Sequence, residues 1–184
     1  DSLTLVGLST AQGGSDSVDM GSGNDTVVIS GSSLNDIIAL GTGNDTITIS
    51  GILGVSTLDG GTDAGGGDTD TLNFDGSTAG AGKYMAFGVQ KADSSWVYFG
   101  THFAPASFTQ NGTTPTIDLM QATLAAGPLQ YQYGFSTNSN SIESLTWKGV
   151  ETVNVKGGAN TDMLVFQNGT EYVGNGGQDT FYAD

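Results

Sequence analysis

Aspartate is the residue of this chain on which chemistry can be built, and it recurs at set distances. Asp16, Asp25, Asp36 and Asp45 are separated by 9, 11 and 9 residues, so alternate members lie 20 apart. Around Asp25 and Asp45 the text is nearly duplicated: GSGNDTVVIS at 21–30 and GTGNDTITIS at 41–50 agree at seven of ten positions. Each copy joins glycine, asparagine and aspartate to a β-branched run. Carboxylates and turn carbonyls are hard oxygen donors, and glycine lets a turn reach φ > 0 and aim its carbonyls inward. Calcium takes roughly six to eight such oxygens in flexible geometry, whereas magnesium demands a tight octahedron and keeps its waters. The donor set therefore suits calcium.

Strands must position these turns. β-forming runs follow them at Ser17–Met20, Thr26–Ser30, Asp36–Leu40, Thr46–Ser50, Ser56–Asp59 and Thr71–Phe74. A period near 20 with two strands in it predicts a coil in which each strand lies parallel to the one a full period later. Val18, Val27, Ile37 and Ile47 are the slots expected to stack inward as a thin aliphatic core. The same stacking sets Asp25 near Asp45 and Asp16 near Asp36, which is costly unless a cation neutralises them.

The unit Gly-x-Gly-Asn-Asp-Thr-aliphatic-x resembles the nonapeptide of the RTX, or hemolysin-type, calcium-binding repeats, G-G-x-G-x-D-x-U-x with U aliphatic. Gly21, Gly23, Asn24, Asp25 and Val27 carry the match, as do Gly41, Gly43, Asn44, Asp45 and Ile47. GNGGQDTFY repeats it with Gly174, Gly176, Gly177, Asp179 and Phe181. The resemblance implies a parallel β-roll with calcium between successive turns, in a secreted or cell-surface bacterial protein, often exported by a type I system. Asp16, Asp36 and Asp162 join the candidate ligands as the acids of less regular copies. A single Asn-Asp-Gly turn would be read as an ordinary turn; two near-identical copies, a third, and the constant offset favour the ion. Departures are visible. Leu34 stands where a glycine belongs before Asp36, Asn160 replaces a glycine before Asp162, and Asp59, Asp63, Asp68 and Asp70 fall in a broken register. That last cluster is either a further ion site or a solvated acidic loop.

Composition bounds the rest. The 184 residues carry 19 acids against four lysines, a net charge of −15. Nucleic acid is excluded as a partner, because phosphate binding needs clustered Lys and Arg, and anionic membrane surfaces are disfavoured. No apolar run approaches a membrane span, and without cysteine there is neither a disulfide nor a thiolate site. The charge is unevenly placed. Residues 1–76 hold 11 acids, no lysine and one aromatic, residues 77–156 hold all four lysines and 11 of the 16 aromatics, and 157–184 return to the first style. The expected organisation is all-β: repeats over 1–76, an aromatic-rich β insertion over 77–140, and resumed repeats over 141–184. Inside the insertion KYMAFGVQ and SWVYFGTHF flank a turn at Lys91–Ser94 and read as a hairpin. LQYQYGF alternates Leu129, Tyr131, Tyr133 and Phe135 on one face as a half-buried strand. Thr114 as N-cap, Pro115, and Gly127-Pro128 as a stop predict one short helix. The chain begins and ends in repeat-like text and reads as a piece of something longer.

Catalysis finds little footing. His102 is the only histidine, and amid YFGTHFAP it reads as a packing or exposed residue. Of the carboxylates available for glycoside chemistry, Asp93 reads as a turn residue, Asp118 as a first-turn helix acid and Glu151 as an outward strand residue; Glu143 completes the set. Trp96, Tyr98, Tyr131 and Tyr133 suit either a sugar-stacking platform or a core. Asn24, Asn44, Asn111 and Asn168 head Asn-x-Ser/Thr triplets that read as chance. The function expected is a non-enzymatic, calcium-stabilised structural or adhesive segment of a surface or S-layer protein. Alternatives are a glycan-binding accessory module of an extracellular polysaccharide-modifying enzyme, or a self-assembling element.

Overall fold

The computed structural model describes residues 1–6, 15–30, 35–50, 54–61, 66–77, 84–99, 124–126, 129–136, 142–160, 162–165, 169 and 171–182. Every regular element among them is a strand. In the first part of the chain these are β1 (Ser2–Val6), β2 (Ser17–Asp19), β3 (Thr26–Ser30), β4 (Ile37–Ala39), β5 (Thr46–Ser50), β6 (Val55–Asp59) and β7 (Thr71–Asp75). The aromatic stretch adds β8 (Tyr84–Gln90), β9 (Trp96–Phe99) and β10 (Gln130–Ser136). Then follow β11 (Ile142–Lys148), β12 (Thr152–Lys156), β13 (Met163–Val165), β14 (Tyr172–Val173) and β15 (Thr180–Tyr182). Branched and aromatic side chains fill them, as a pleated surface buried on one side favours.

Two sheets organise the chain. The first is parallel throughout, in the order β1-β3-β5-β7-β12-β14. Its register aligns Thr26, Thr46, Thr71 and Thr152. The second runs β2-β4-β6-β11 in parallel and then adds β10, β8 and β9 antiparallel. Consecutive strands alternate between the sheets from β1 to β7, and the 20-residue offset appears directly in pairs such as Val27 with Ile47. The pair β13–β15 is a small parallel sheet of its own.

Because side chains alternate along a strand, the second and fourth residues of β3, β5, β7 and β12 point inward. Val27, Ile29, Ile47, Ile49, Leu72, Phe74, Val153 and Val155 are all buried there. They form one cluster with Ile38, Leu58, Leu145 and Trp147 of the second sheet. Each aliphatic side chain so buried contributes about 1.5–3 kcal/mol. The aromatic strands continue the same core: Tyr133 stacks on Phe74 of β7 (5.7 Å between centroids) and on Trp147 of β11 (5.0 Å), with Phe87 at 5.4 Å from Tyr133. The hairpin expected around Lys91–Ser94 is present as β8–β9. Asp93 is its turn residue: its carboxylate accepts from the backbone and hydroxyl of Ser95, which holds it below the usual carboxylate range.

Two expectations need correction. Ile37, expected to face inward, is 61% exposed, and Ile38 is the buried residue. Val18 pairs with Ile38, not with Ile37, because the inward residue stands two after the aspartate on both sides of the repeat. The short helix is not seen either. Among the described residues only Leu124–Ala126 make a lone helical turn; Leu124 packs against the core and the Leu129 N–H already donates to the Gln90 carbonyl. The remainder of that helix from Thr114, with His102, Asp118, Asn111 and Asn168, lies outside the described residues. Among those described, no helix is long and apolar enough to cross a membrane.

Candidate metal centre

Each of β2, β4, β6 and β11 in the second sheet feeds a first-sheet strand through a connection whose last residue is an acid. The described parts of these connections are residues 20–25, 40–45, 60–61 with 66–70, and 149–151, ending in Asp25, Asp45, Asp70 and Glu151. They stack as a file. The Asp25 N–H donates to Asp45 Oδ1 (2.7 Å), the Asp45 N–H to Asp70 Oδ1 (2.9 Å) and the Asp70 N–H to Glu151 Oε2 (2.9 Å). At the near end the Asp1 amino group pairs with the Asp25 carboxylate. Beside this file runs one of amides: the Asn44 N–H donates to Asn24 Oδ1 (3.0 Å) and the Thr69 N–H to Asn44 Oδ1 (2.6 Å). The glycines explain how closely the turns approach. Gly41 and Gly43 have φ of +103° and +122°, and a Cβ on either would run into the carbonyl of Gly21 or Gly23 beneath it.

The file is dry. Asp25, Asp45 and Asp70 are 2%, 1% and 1% exposed. One oxygen of each accepts the backbone bond from the neighbouring turn or the amino group, but Asp25 Oδ2 and Asp45 Oδ2 are buried with no partner, as is Asp68 Oδ2. A buried anion without a partner is expensive. Loss of water, reinforced by the charges of Asp25 and Asp68 and opposed by the bond from the Asp25 backbone, raises the Asp45 carboxyl above its ordinary 3.8. Burial, with the charges of Asp45, Asp68 and Glu151 behind it, pushes Asp70 up to about 7 against the bond from the Asp45 backbone.

The other candidates form separate groups. On the opposite side of the repeat the exposed Asp16 donates its N–H to Asp36 Oδ1 (3.0 Å), and the Asp36 N–H donates to Ser56 Oγ (3.1 Å). Asn35 supplies the left-handed residue there, at φ +48°, where Leu34 had replaced the glycine. Near the C-terminal end the Asp162 N–H donates to Asp179 Oδ1 (3.0 Å) and Asp162 Oδ2 accepts from the Gly158 N–H (2.6 Å). Gly174 lies under the Asp179 carboxylate and Gly176 over Ala159, with no room for a Cβ at Gly174. The predicted residues thus stack in pairs 21/41, 23/43, 24/44, 25/45, 16/36 and 162/179. Among the described residues no three acidic or histidine side chains converge as a preformed metal cage.

The sequence reading missed Asp70 and Glu151 as members of the acid file, although a shorter signature finds them. Asp25-Thr-Val, Asp45-Thr-Ile, Asp70-Thr-Leu and Glu151-Thr-Val all read acid, threonine, aliphatic. Glu151 stands just before β12, exposed, and continues the file through its longer side chain. Asp59 serves elsewhere, paired with Lys148 at 2.6 Å.

The donors fit a hard cation. Unpartnered buried carboxylate oxygens recur on adjacent turns, and the Gly21 and Thr42 carbonyls each accept one N–H, which leaves each a second lone pair. Comparison with protein-family models, with curated proteins and with solved structures found no match.

Proposed function

We propose that this chain is a calcium-stabilised β-roll of the RTX kind, serving as a structural or adhesive segment of a secreted or cell-surface bacterial protein. The observation that carries the reading is the pair of buried, unpartnered oxygens on Asp25 and Asp45. Backbone pairing alone does not require that charge: at Ser56 a neutral hydroxyl accepts the corresponding N–H. Carboxylates retained in a dry file are an excess of anion, and a divalent cation bridging successive turns is the simplest group to answer it. Folding and metal binding are then linked, so the fold is weaker at low calcium and strengthened where calcium is abundant. The extracellular setting comes from the RTX resemblance.

The glycan-binding alternative has less support. Of the candidate row, Tyr133 is fully buried in the core and offers no stacking face to a sugar, and Trp96 and Tyr131 are half-buried.

The test is a calcium titration of EDTA-treated protein followed by circular dichroism and thermal melting, with magnesium as control. Strand signal and melting temperature are expected to rise with calcium and far less with magnesium. A response to neither ion would sink the proposal. Asp25→Ala with Asp45→Ala should abolish most of the calcium-dependent rise while leaving the near-ultraviolet signal of the aromatic core in place.

A further inference from the structure

Asp68 is the odd residue of the acid turns. Thr69 is set against Asn44, and Asp70 against Asp45, by their hydrogen bonds, so Asp68 stands level with Gly43 and, beneath it, Gly23. Those glycines are left-handed, whereas the described non-glycine residues with positive φ are Asn35, Ser94 and Asn175. Asp68 is not one of them, so its backbone differs from that of Gly43 and Gly23 at this level. Asp68 delivers a carboxylate where the turns over 20–25 and 40–45 deliver a glycine. Asp68 Oδ2 is buried and unpartnered, as is Oδ2 of Asp45, itself 1% exposed. The charge of Asp68 acts on both Asp45 and Asp70. No lysine among the described residues answers it: Lys91, Lys148 and Lys156 pair with Asp93, Asp59 and Glu171.

We propose that Asp45 and Asp68 hold a calcium ion in a site of its own, tighter than any formed by the turns that carry glycine at the Asp68 position. This rests on the calcium reading above and goes beyond it by singling out one site. Two carboxylate oxygens from adjacent turns supply the charge, and backbone carbonyls and water complete the shell, since among the described residues no third acidic side chain converges there. Calcium affinity rises with the number of charged ligands, and here the extra one is built in by five inserted residues, the acid spacing being 25 between Asp45 and Asp70 against 20 between Asp25 and Asp45. An ion at this point also ties Asp68 to the repeat before it.

The experiment compares the full chain with Asp68→Asn and Asp19→Asn, titrating EDTA-stripped protein with calcium chloride by calorimetry. Asp19 is exposed on β2 and outside the acid file, so its variant removes the same charge without touching the site. Asp68→Asn is expected to weaken the tightest binding step at least tenfold, leave later steps in place and melt higher than the parent in EDTA. Asp19→Asn should titrate like the parent. Superimposable titrations of Asp68→Asn and parent, or equal weakening by both variants, would overturn the separate site while leaving the calcium reading intact. A parent that binds no calcium would overturn both. Circular dichroism in EDTA checks that Asp68→Asn keeps its strands, and Asp68→Ser repeats the test if it does not.

Discussion

The two sides of the repeat solve one backbone problem with different chemistry. On each, an N–H at the end of a turn must find an acceptor one turn further on. The side bearing Asp16 and Asp36 hands the task to a serine hydroxyl at Ser56. The side bearing Asp25 and Asp45 stays acidic through Asp70 and Glu151. Among the described residues the buried carboxylate oxygens without partners are those of Asp25, Asp45 and Asp68, all on the acidic side. Hydrogen bonding explains an acceptor at these positions, and it does not explain a charge. The difference separates a structural role, which either residue type fills, from a cation-binding role, which only the carboxylates fill.

The comparison breaks most violently at the glycines. Gly41→Ala places a methyl against the Gly21 carbonyl at φ +103°, combining left-handed strain with overpacking for an expected loss of roughly 2–5 kcal/mol. Gly21→Ala, with φ +87° and nothing within 4 Å of its Cβ, should lose only the conformational part, about 1–2 kcal/mol. Urea melts of both variants check this, and equal losses would show that the turns do not stack as closely as described.

Acidity separates the two sides next. Asp70, raised to about 7, and Asp45, raised in the same sense, hold protons in the folded state at pH values where the unfolded chain has lost them. The contribution of Asp70 is therefore fully present below about pH 4 and lost as pH rises through about 7, and that of Asp45 is lost in the same direction. Calcium-free protein should show a higher urea midpoint at pH 5 than at pH 8. Saturating calcium should cancel or reverse that slope, because the ion takes the place of the protons. A calcium-free midpoint that climbs from pH 5 to 8 would show that these carboxyls are not strained by burial.

Substitution at Asp45 divides its two duties. Asp45→Ala leaves the buried Asp25 N–H without its acceptor, which should cost about 1–3 kcal/mol already in EDTA and more in calcium, where a ligand is lost as well. Asp45→Asn keeps an oxygen for that bond and removes the charge, so it should match or exceed the parent in EDTA and fall below it in calcium. If Asn and Ala behaved alike in both buffers, the charge would have no role of its own.

How far the sequence foretold this depends on which regularity each residue obeys. Thr26–Ser30 and Thr46–Ser50 were legible to the residue because turn and strand repeat together, and Val27 and Ile47 fell into the core with them. Ile37 misled because only the strand was counted there. Reckoned from Asp36, as Val18 is from Asp16, the inward residue is Ile38. Asp70 and Glu151 were hidden by turn length, since the glycine pattern requires a turn like 40–45, while theirs span residues 60–70 and 149–151. What persisted through those changes was the acid-threonine-aliphatic strand start, held by the sheet register and indifferent to the turn before it. The docking of β10 onto β11, and of Tyr133 onto Phe74, left no local mark at all. Aromatic alternation says that a strand has one buried face and not which sheet receives it.

The smallest effect is expected where the neutral solution already exists. Asp36→Ser would copy Ser56 one turn earlier and offer a hydroxyl to the Asp16 N–H in place of the present carboxylate. Aspartate and serine are both short acceptors, and the Asp36 N–H keeps its own bond to Ser56. The change in stability should stay under about 1 kcal/mol, and it should be the same in EDTA and in calcium. A calcium-dependent loss comparable to that of Asp45→Asn would erase the distinction between the two sides, because Asp36 would then be holding an ion as well as a backbone hydrogen. Equal behaviour in both buffers confines the cation to the side where carboxylates outnumber the bonds they have to accept.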